Sequence, residues 1–491
     1  QKSARSEAIP IRWPETVLIT QRNKESQINA WRKQLLIEGS YIELEYNAEL
    51  DLLIKFLLEL KSNDTEKFKK IIGGFMELLS DDEISQKSKN QTLKVLRKLS
   101  NFRLFPELYK SIQDDLFELE FVKFLCEVIV EAKDDDNRAE FVLGMVDFLD
   151  EASERIQVEF LENLRRDENN EFLFVLKGFM MRNFEDFREH EKNYKEQGAD
   201  LKKNAHQVAY EKLNSTNYAL EILRLACENH YEEMQNYLRE QKQQGTTLKR
   251  SINFINVITD MFNKYVKSLS ETNYQLGLQI FETLIEMVQG PCRENQKAIC
   301  NTKFLENIQD LMVDLKDRTD RAKGQKSLGK SSDAWIIEIN QKIIIFIQAM
   351  LEGSLDNVTV DKIAAHVDPQ IFLERMAAAY KFYNKASKKY RGRLFLEKSS
   401  NKKENATSNM IQSEKSTYEE DKQAVEISDE ERAIDFLNEG ANIYLMMMQL
   451  LQSKSETISS YFEYFRGTKE GRGAMKYYEN HTGIIEICNK N

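Results

Sequence analysis

The chain has 491 residues and a formal net charge of -11, with 41% hydrophobic residues, 31% charged residues, 5 Pro and 18 Gly. Such a chain buries a large core, yet holds too few turn-forming residues for a sheet-rich fold, so long helices are expected. The acidic balance excludes a nonspecific nucleic-acid binder, and five scattered cysteines without a CxxC pair exclude a disulfide framework or a zinc knuckle and suit a reducing, cytosolic setting.

Residues 1–45 are irregular, with Trp13, Pro10, Pro14 and Trp31. The start at Gln1 rather than Met reads as a piece of a longer protein. From 46 to 206 a helical rhythm takes over. "ELDLLIKFLLELKS", "EKFKKIIGGFMELLSDD", "SKNQTLKVLRKLSNF", "LFELEFVKFLCEVIVEA" and "NRAEFVLGMVDFLDEA" repeat apolar residues at helical spacing between polar breaks. Helices of this size in series predict an all-α, irregular armadillo-like helical solenoid without a strict repeat consensus. Residues 186–206 are poor in apolar residues and read as a connector or exposed helix. A second helical domain covers 207–396, and the charged, Ser/Asn-rich stretch 397–432 reads as a flexible polar linker. In 433–491 a terminal helix precedes "IIEIC", a short β element near the C-terminus. The longest apolar runs, "IIIFIQAML" and "IYLMMMQLL", are about half of the roughly twenty residues a membrane span needs.

Local chemistry is sparse. "GQKSLGKS" (Gly324 to Ser331) spells the phosphate-loop pattern G-x-x-x-x-G-K-S. A working phosphate loop follows an apolar strand and opens a helix. Here the charged, helical "LMVDLKDRTDRAK" precedes it, so the motif reads as a Gly/Lys/Ser loop joining two helices. His190, His206, His230, His366 and His481 show no HExxH or HxH spacing, and no GxSxG elbow exists, so no enzyme is expected. Asp134, Asp135 and Asp136 lack the Gly and Glu of an EF-hand and read as a solvated acidic turn. The basic stretch Tyr383 to Arg393 reads as a solvated helix end rather than a nucleic-acid patch. "EMVQGPCRENQ" (Glu286 to Gln296) is more informative. A buried stripe of Leu278, Phe281, Ile285 and Val288 stops at Gly290, and Pro291 is expected to start the next helix: a tight helix–helix corner.

With its surroundings this corner resembles the "QGPC-x-x-NQ" signature of the inositol trisphosphate and ryanodine receptors, tetrameric intracellular calcium-release channels. "LACENHYEEMQNYLREQ" (Leu225 to Gln241) resembles the family's C-E-N-H helix, and "NIYLMMMQL" and "YYENHTGIIEI" resemble its N-I-Y helix and F-Y-x-x-H-T-x-x-I-E-I stretch. The inositol trisphosphate branch fits better. The resemblance covers roughly 207–396 and 436–488 and makes 207–396 a RIH-associated domain. It makes 433–491 a terminal helix and the start of a domain that couples the arm to the pore.

The resemblance implies a cytosolic regulatory helical arm of a ligand- and calcium-gated channel, relaying calcium or ligand binding to the pore. Its partners would be other domains and subunits of a tetramer, with membrane contact only through the pore segment, at the cytosolic face of the endoplasmic reticulum. It also implies a regulatory Ca2+ held by Glu286, in "LIEMVQGPC", and Glu352, in "AMLEGSLDN". The distance from Leu328–Lys330 to Glu352 equals the family's spacing, and Glu338 falls in step. Met287 departs from the family's aromatic residue, and the family completes the site with a backbone oxygen from beyond the pore. Cys292 and Cys300 read as core thiols. The alternative is a non-channel helical scaffold in a large assembly, with no calcium response.

Overall fold

The computed structural model describes residues 48–81, 83–100, 106–196, 202–243, 245–324, 334–353, 357–385 and 429–482. They are almost entirely helical, as composition demands. Two compact units, 1–179 and 180–491, divide the chain.

In the first unit, α1 (Ala48–Asn63), α2 (Thr65–Ser80), α3 (Gln86–Ser100), α4 (Pro106–Glu118), α5 (Phe121–Glu131), α6 (Asp135–Leu149) and α7 (Glu154–Arg166) follow one another with short breaks. Each packs mainly on helices one to three places along the chain, the neighbour-on-neighbour contact of an irregular solenoid. Apolar residues one helical turn apart, such as Phe121, Leu125 and Val128 of α5, form the buried face. The Asp134–Asp136 run is a helix start. The Asp134 side chain accepts the Asn137 N–H at 2.8 Å, and Asp135 pairs with Arg138 at 2.5 Å. Arg97 of α3 and Asp147 of α6 form a buried pair at 2.6 Å that ties the two helices together.

The division falls inside α8 (Glu171–Glu196), a long helix that runs through the first half of the expected connector. The second unit continues with α9 (Lys202–Cys227), α10 (Glu232–Arg239), α11 (Phe254–Tyr265), α12 (Tyr274–Val288), α13 (Arg293–Cys300), α14 (Phe304–Gly324), α15 (Ala334–Leu351) and α16 (Asn357–Ala365). A helix at 369–385 (α17), α18 (Asp429–Leu450), α19 (Glu456–Gly467) and α20 (Lys469–His481) complete it. A small antiparallel hairpin of β1 (Lys242–Gln243) and β2 (Thr246–Thr247), which the sequence reading did not foresee, is closed by Gly245 at φ +80°. The expected C-terminal β element and the 397–428 part of the linker lie outside the described residues.

The core of this unit is a row of helices in which α12 lies against α9 on one side and α15 on the other, and α15 continues onto α18. Phe262, Phe281, Phe304 and Phe346, from α11, α12, α14 and α15, meet ring to ring with centroids 4.6–5.9 Å apart. α15 has 18 residues and a mean hydropathy of 1.4, so by length and composition it could cross a membrane. This corrects the expectation from the shorter run "IIIFIQAML". Burial between α12 and α18 accounts for its apolar composition.

The helix corner as candidate functional site

α9 and α12 bring two sharp turns together. After Cys227 the chain turns through Glu228–His230, where Asn229 and His230 both take left-handed backbone angles (φ 61° and 60°). After Val288 it turns through Gln289–Cys292, with Gly290 at φ +104°. The turns touch: a Cβ on Gly290 would lie 2.5 Å from the His230 Cβ. Gly353, just beyond α15 at φ +59°, lies so close to Pro291 that a side chain there would collide with the proline ring.

The polar letters around the corner are its internal scaffolding. Gln235 of α10 donates from Nε2 to the carbonyls of Glu286 (2.6 Å) and Gln289 (2.9 Å). Asn295 donates from Nδ2 to the carbonyls of Gln235 (3.0 Å) and Met287 (2.7 Å), and its Oδ1 accepts from Arg239 Nε at 2.8 Å. Gln296 donates from Nε2 to the carbonyls of Ala349 and Glu352, both at 3.0 Å. All three amides are buried. The carbonyls of Glu286, Met287 and Ala349 lie in the last turns of α12 and α15, where the ladder within the helix ends. Thus Gln235, Asn295 and Gln296 knit α10, α12, α13 and the end of α15 into one corner. In the sequence these letters stand as part of a signature without an evident role. Amides set among apolar helix positions were the available signal.

Three details differ from the sequence reading. Pro291 lies in the turn, and α13 starts at Arg293 with Cys292 as its N-cap, because Cys292 N–H still bonds back to the Val288 carbonyl. Leu278 is half-buried, and the deeply buried stripe is Leu276, Ile280, Leu284 and Val288. Glu338 is exposed on α15 beside Tyr274, about 20 Å along the helix axis from Glu352, and is not brought to the corner. "GQKSLGKS" lies outside the described residues beyond Gly324.

Glu352 reaches the contact between the two turns, and Glu286 lies one helical turn before it with Arg224, Glu228 and His230 among its charged neighbours. Glu352, half-buried just past α15, accepts the Gly290 N–H through Oε2 at 3.1 Å. Glu286 is half-buried one turn before the corner. Burial pushes its carboxyl above the usual carboxylate range. Arg224 and His230 oppose that rise, and Glu228 and Glu221 add to it. Arg224 is already committed to Glu221 through a fork of 2.7 and 2.6 Å bonds, so no cation is dedicated to Glu286. Cys227 and Cys292 are buried, and burial raises both thiols, as core thiols should be. Among the described residues no group of three or more His, Cys, Asp or Glu side chains is gathered to hold a metal. A cation here would therefore draw on backbone oxygens and water beside the two carboxylates.

Residues 210–312, from α9 into α14, match the family described as "RyR and IP3R Homology associated". The two turns, α10, α12, α13 and Glu286 fall inside that span, and the end of α15 lies beyond it. Residues 210–312 thus carry a domain of the kind described for the ryanodine and inositol trisphosphate receptors. It is also similar to the inositol 1,4,5-trisphosphate receptor itr-1 of Caenorhabditis elegans, 32% identical over 85 residues. That segment is 16% of this chain and 3% of the relative. The RIH-associated domain is thus built around a turn-on-turn contact locked by buried amides, with Glu352 reaching it from the end of α15 and Glu286 one helical turn before it.

Proposed function

We propose that this chain is part of the cytosolic regulatory arm of a ligand- and calcium-gated intracellular calcium-release channel, and that Glu286 and Glu352 are its calcium-sensing carboxylates. One observation carries the reading: Glu352, from outside the matched segment, docks on the Gly290 amide, four residues past Glu286, at the corner the family signature encodes.

The chemistry fits a weak, regulated divalent site. A half-buried Glu286 with a raised pKa and no dedicated cation carries an electrostatic cost that Ca2+ removes. Calcium takes six to eight oxygens in flexible geometry, and corner carbonyls, water and a segment beyond this chain supply the rest. Because Glu352 belongs to the end of α15 and Glu286 to α12, a shared ion draws two helix ends towards one arrangement. A ligand that binds one arrangement more tightly shifts the population towards it. The relay would run to a pore in an endoplasmic reticulum membrane, with the other subunits of a tetramer as partners.

The test is calcium-dependent ion flux through the full-length protein in vesicles, wild type against Glu352→Gln. The variant keeps an oxygen for the Gly290 N–H and loses the charge. The proposal expects the calcium activation curve to move to higher concentration by about tenfold or more, which is about 1.4 kcal/mol of lost coupling. An unchanged curve favours the scaffold reading, in which Glu352 only latches the corner.

A further inference from the structure

A second polar cluster lies in the same unit, where α17 (369–385), α18 and α20 meet. Glu439 of α18 is 4% exposed and pairs through Oε1 with Nε of Arg375 on α17. Tyr478 of α20 is 1% exposed and is walled by the rings of Tyr380, Tyr444 and Tyr477. Its hydroxyl lies against the backbone of Gly440, where a Cβ would collide with it, so it is next to Glu439 along α18. Three buried polar atoms here have no hydrogen-bond partner: Arg375 Nη2, Glu439 Oε2 and the Tyr478 hydroxyl. Buried polar groups are costly to leave unpaired, so three at one junction point to a common use.

Their chemistry is complementary. Nε and Nη2 form one edge of the guanidinium, the edge that grips a carboxylate with two parallel bonds. Nε is already on Oε1, so the second atom of that edge, Nη2, and the second carboxylate oxygen, Oε2, are left over within one ion pair. A carboxylate oxygen has two acceptor sites, and here there are two donors to fill them, Arg375 Nη2–H and Tyr478 O–H.

We propose that Glu439 is the hub of a buried latch that holds the C-terminal helix α20 on α17 and α18: Oε2, Arg375 Nη2 and the Tyr478 hydroxyl stand unbonded at one junction, and a small turn of the Glu439 carboxylate lets Oε2 accept from both. The aromatic wall excludes water and strengthens the latch by keeping the local dielectric low. Apolar packing alone would let α20 slide. A directional bond from its last turn fixes its register instead. Burial raises the Tyr478 phenol well above its ordinary pKa, with Tyr477 and then Glu439 adding to the rise, so the hydroxyl keeps its proton. If the arm reading above holds, the latch is the attachment point of the segment that leads towards the pore. The latch itself does not depend on that reading.

Amide hydrogen exchange on this chain tests it, with Tyr478→Phe as the mild variant that keeps the ring. Exchange in α20 (Lys469–His481) is expected to quicken about threefold to tenfold, the range of one buried hydrogen bond. Amides of α1 to α7 should be unchanged. In a Glu439→Gln background the same substitution should add less than about twofold, since the partner is already altered. Unchanged exchange in α20, a uniform increase over the whole chain, or full additivity in the Glu439→Gln background would overturn the latch. Should Glu439→Gln not fold, Tyr478→Phe alone decides. Channel measurements do not enter, so failure of the latch and failure of the calcium reading appear in separate experiments.

Discussion

Gly290 meets both a conformational and a steric demand at the site. Its φ of +104° belongs to glycine, and a side chain would run into His230. Gly290→Ala is expected to cost about 1–3 kcal/mol from backbone strain alone, read as a lower melting temperature in a thermal scan. Glu286 is expected to behave in the opposite way. Its carboxyl is raised in the folded state, mainly by burial, so the folded protein holds the proton more tightly than the unfolded chain. Stability is therefore fullest below the unfolded carboxylate pKa and falls as pH rises from there through the folded value. Glu286→Gln removes that loss. It should melt at the same or a higher temperature than wild type at neutral pH, with the difference vanishing in acid. A clear drop in melting temperature at neutral pH would mean that the carboxylate is held by a stabilising partner. A residue that lowers stability while it stays charged is what a functional carboxylate looks like.

At the scale of elements, the phenylalanine cluster decides whether the corner is held in place. Phe281 sits between Phe262, Phe304 and Phe346, on the same helix as Glu286. Phe281→Ala should cost about 3–5 kcal/mol, checked by denaturant unfolding. Most of the helices were legible in the sequence because their apolar residues recur at the period of a turn, as in α5 with Phe121, Leu125 and Val128. The corner was legible as punctuation, Gly290 and Pro291, but its start was misplaced by two residues. Side-chain pattern does not reveal that Cys292 N–H still bonds backwards. The roles of Gln235, Asn295 and Gln296 were not legible. Their partners are carbonyls 51 to 60 residues away for the longest bonds, and such pairings depend on tertiary packing. The hairpin at 242–247 escaped for a related reason. Its two-residue strands show no alternation, and buried Gln241 supports the loop by bonding Tyr237 and Ile252.

For the whole molecule, the helical row α9, α12, α15 and α18 connects the two carboxylates to the C-terminal helices within one unit. In the proposed reading, calcium at the corner would act on α12 and the end of α15, and the Glu439 junction lies further along the same row. That arrangement suits a module that converts a small change at a turn into a changed hold on its exit helix. The proposed regulatory role depends on whether the corner binds calcium through these two side chains. The most direct measurement is a Ca2+ binding isotherm by calorimetry on the full-length protein, comparing wild type with the Glu286→Gln/Glu352→Gln double variant. A saturable calcium site is expected in wild type and not in the double variant, with wild-type affinity falling as pH drops through the raised Glu286 pKa. Equal calcium binding by both proteins would contradict it.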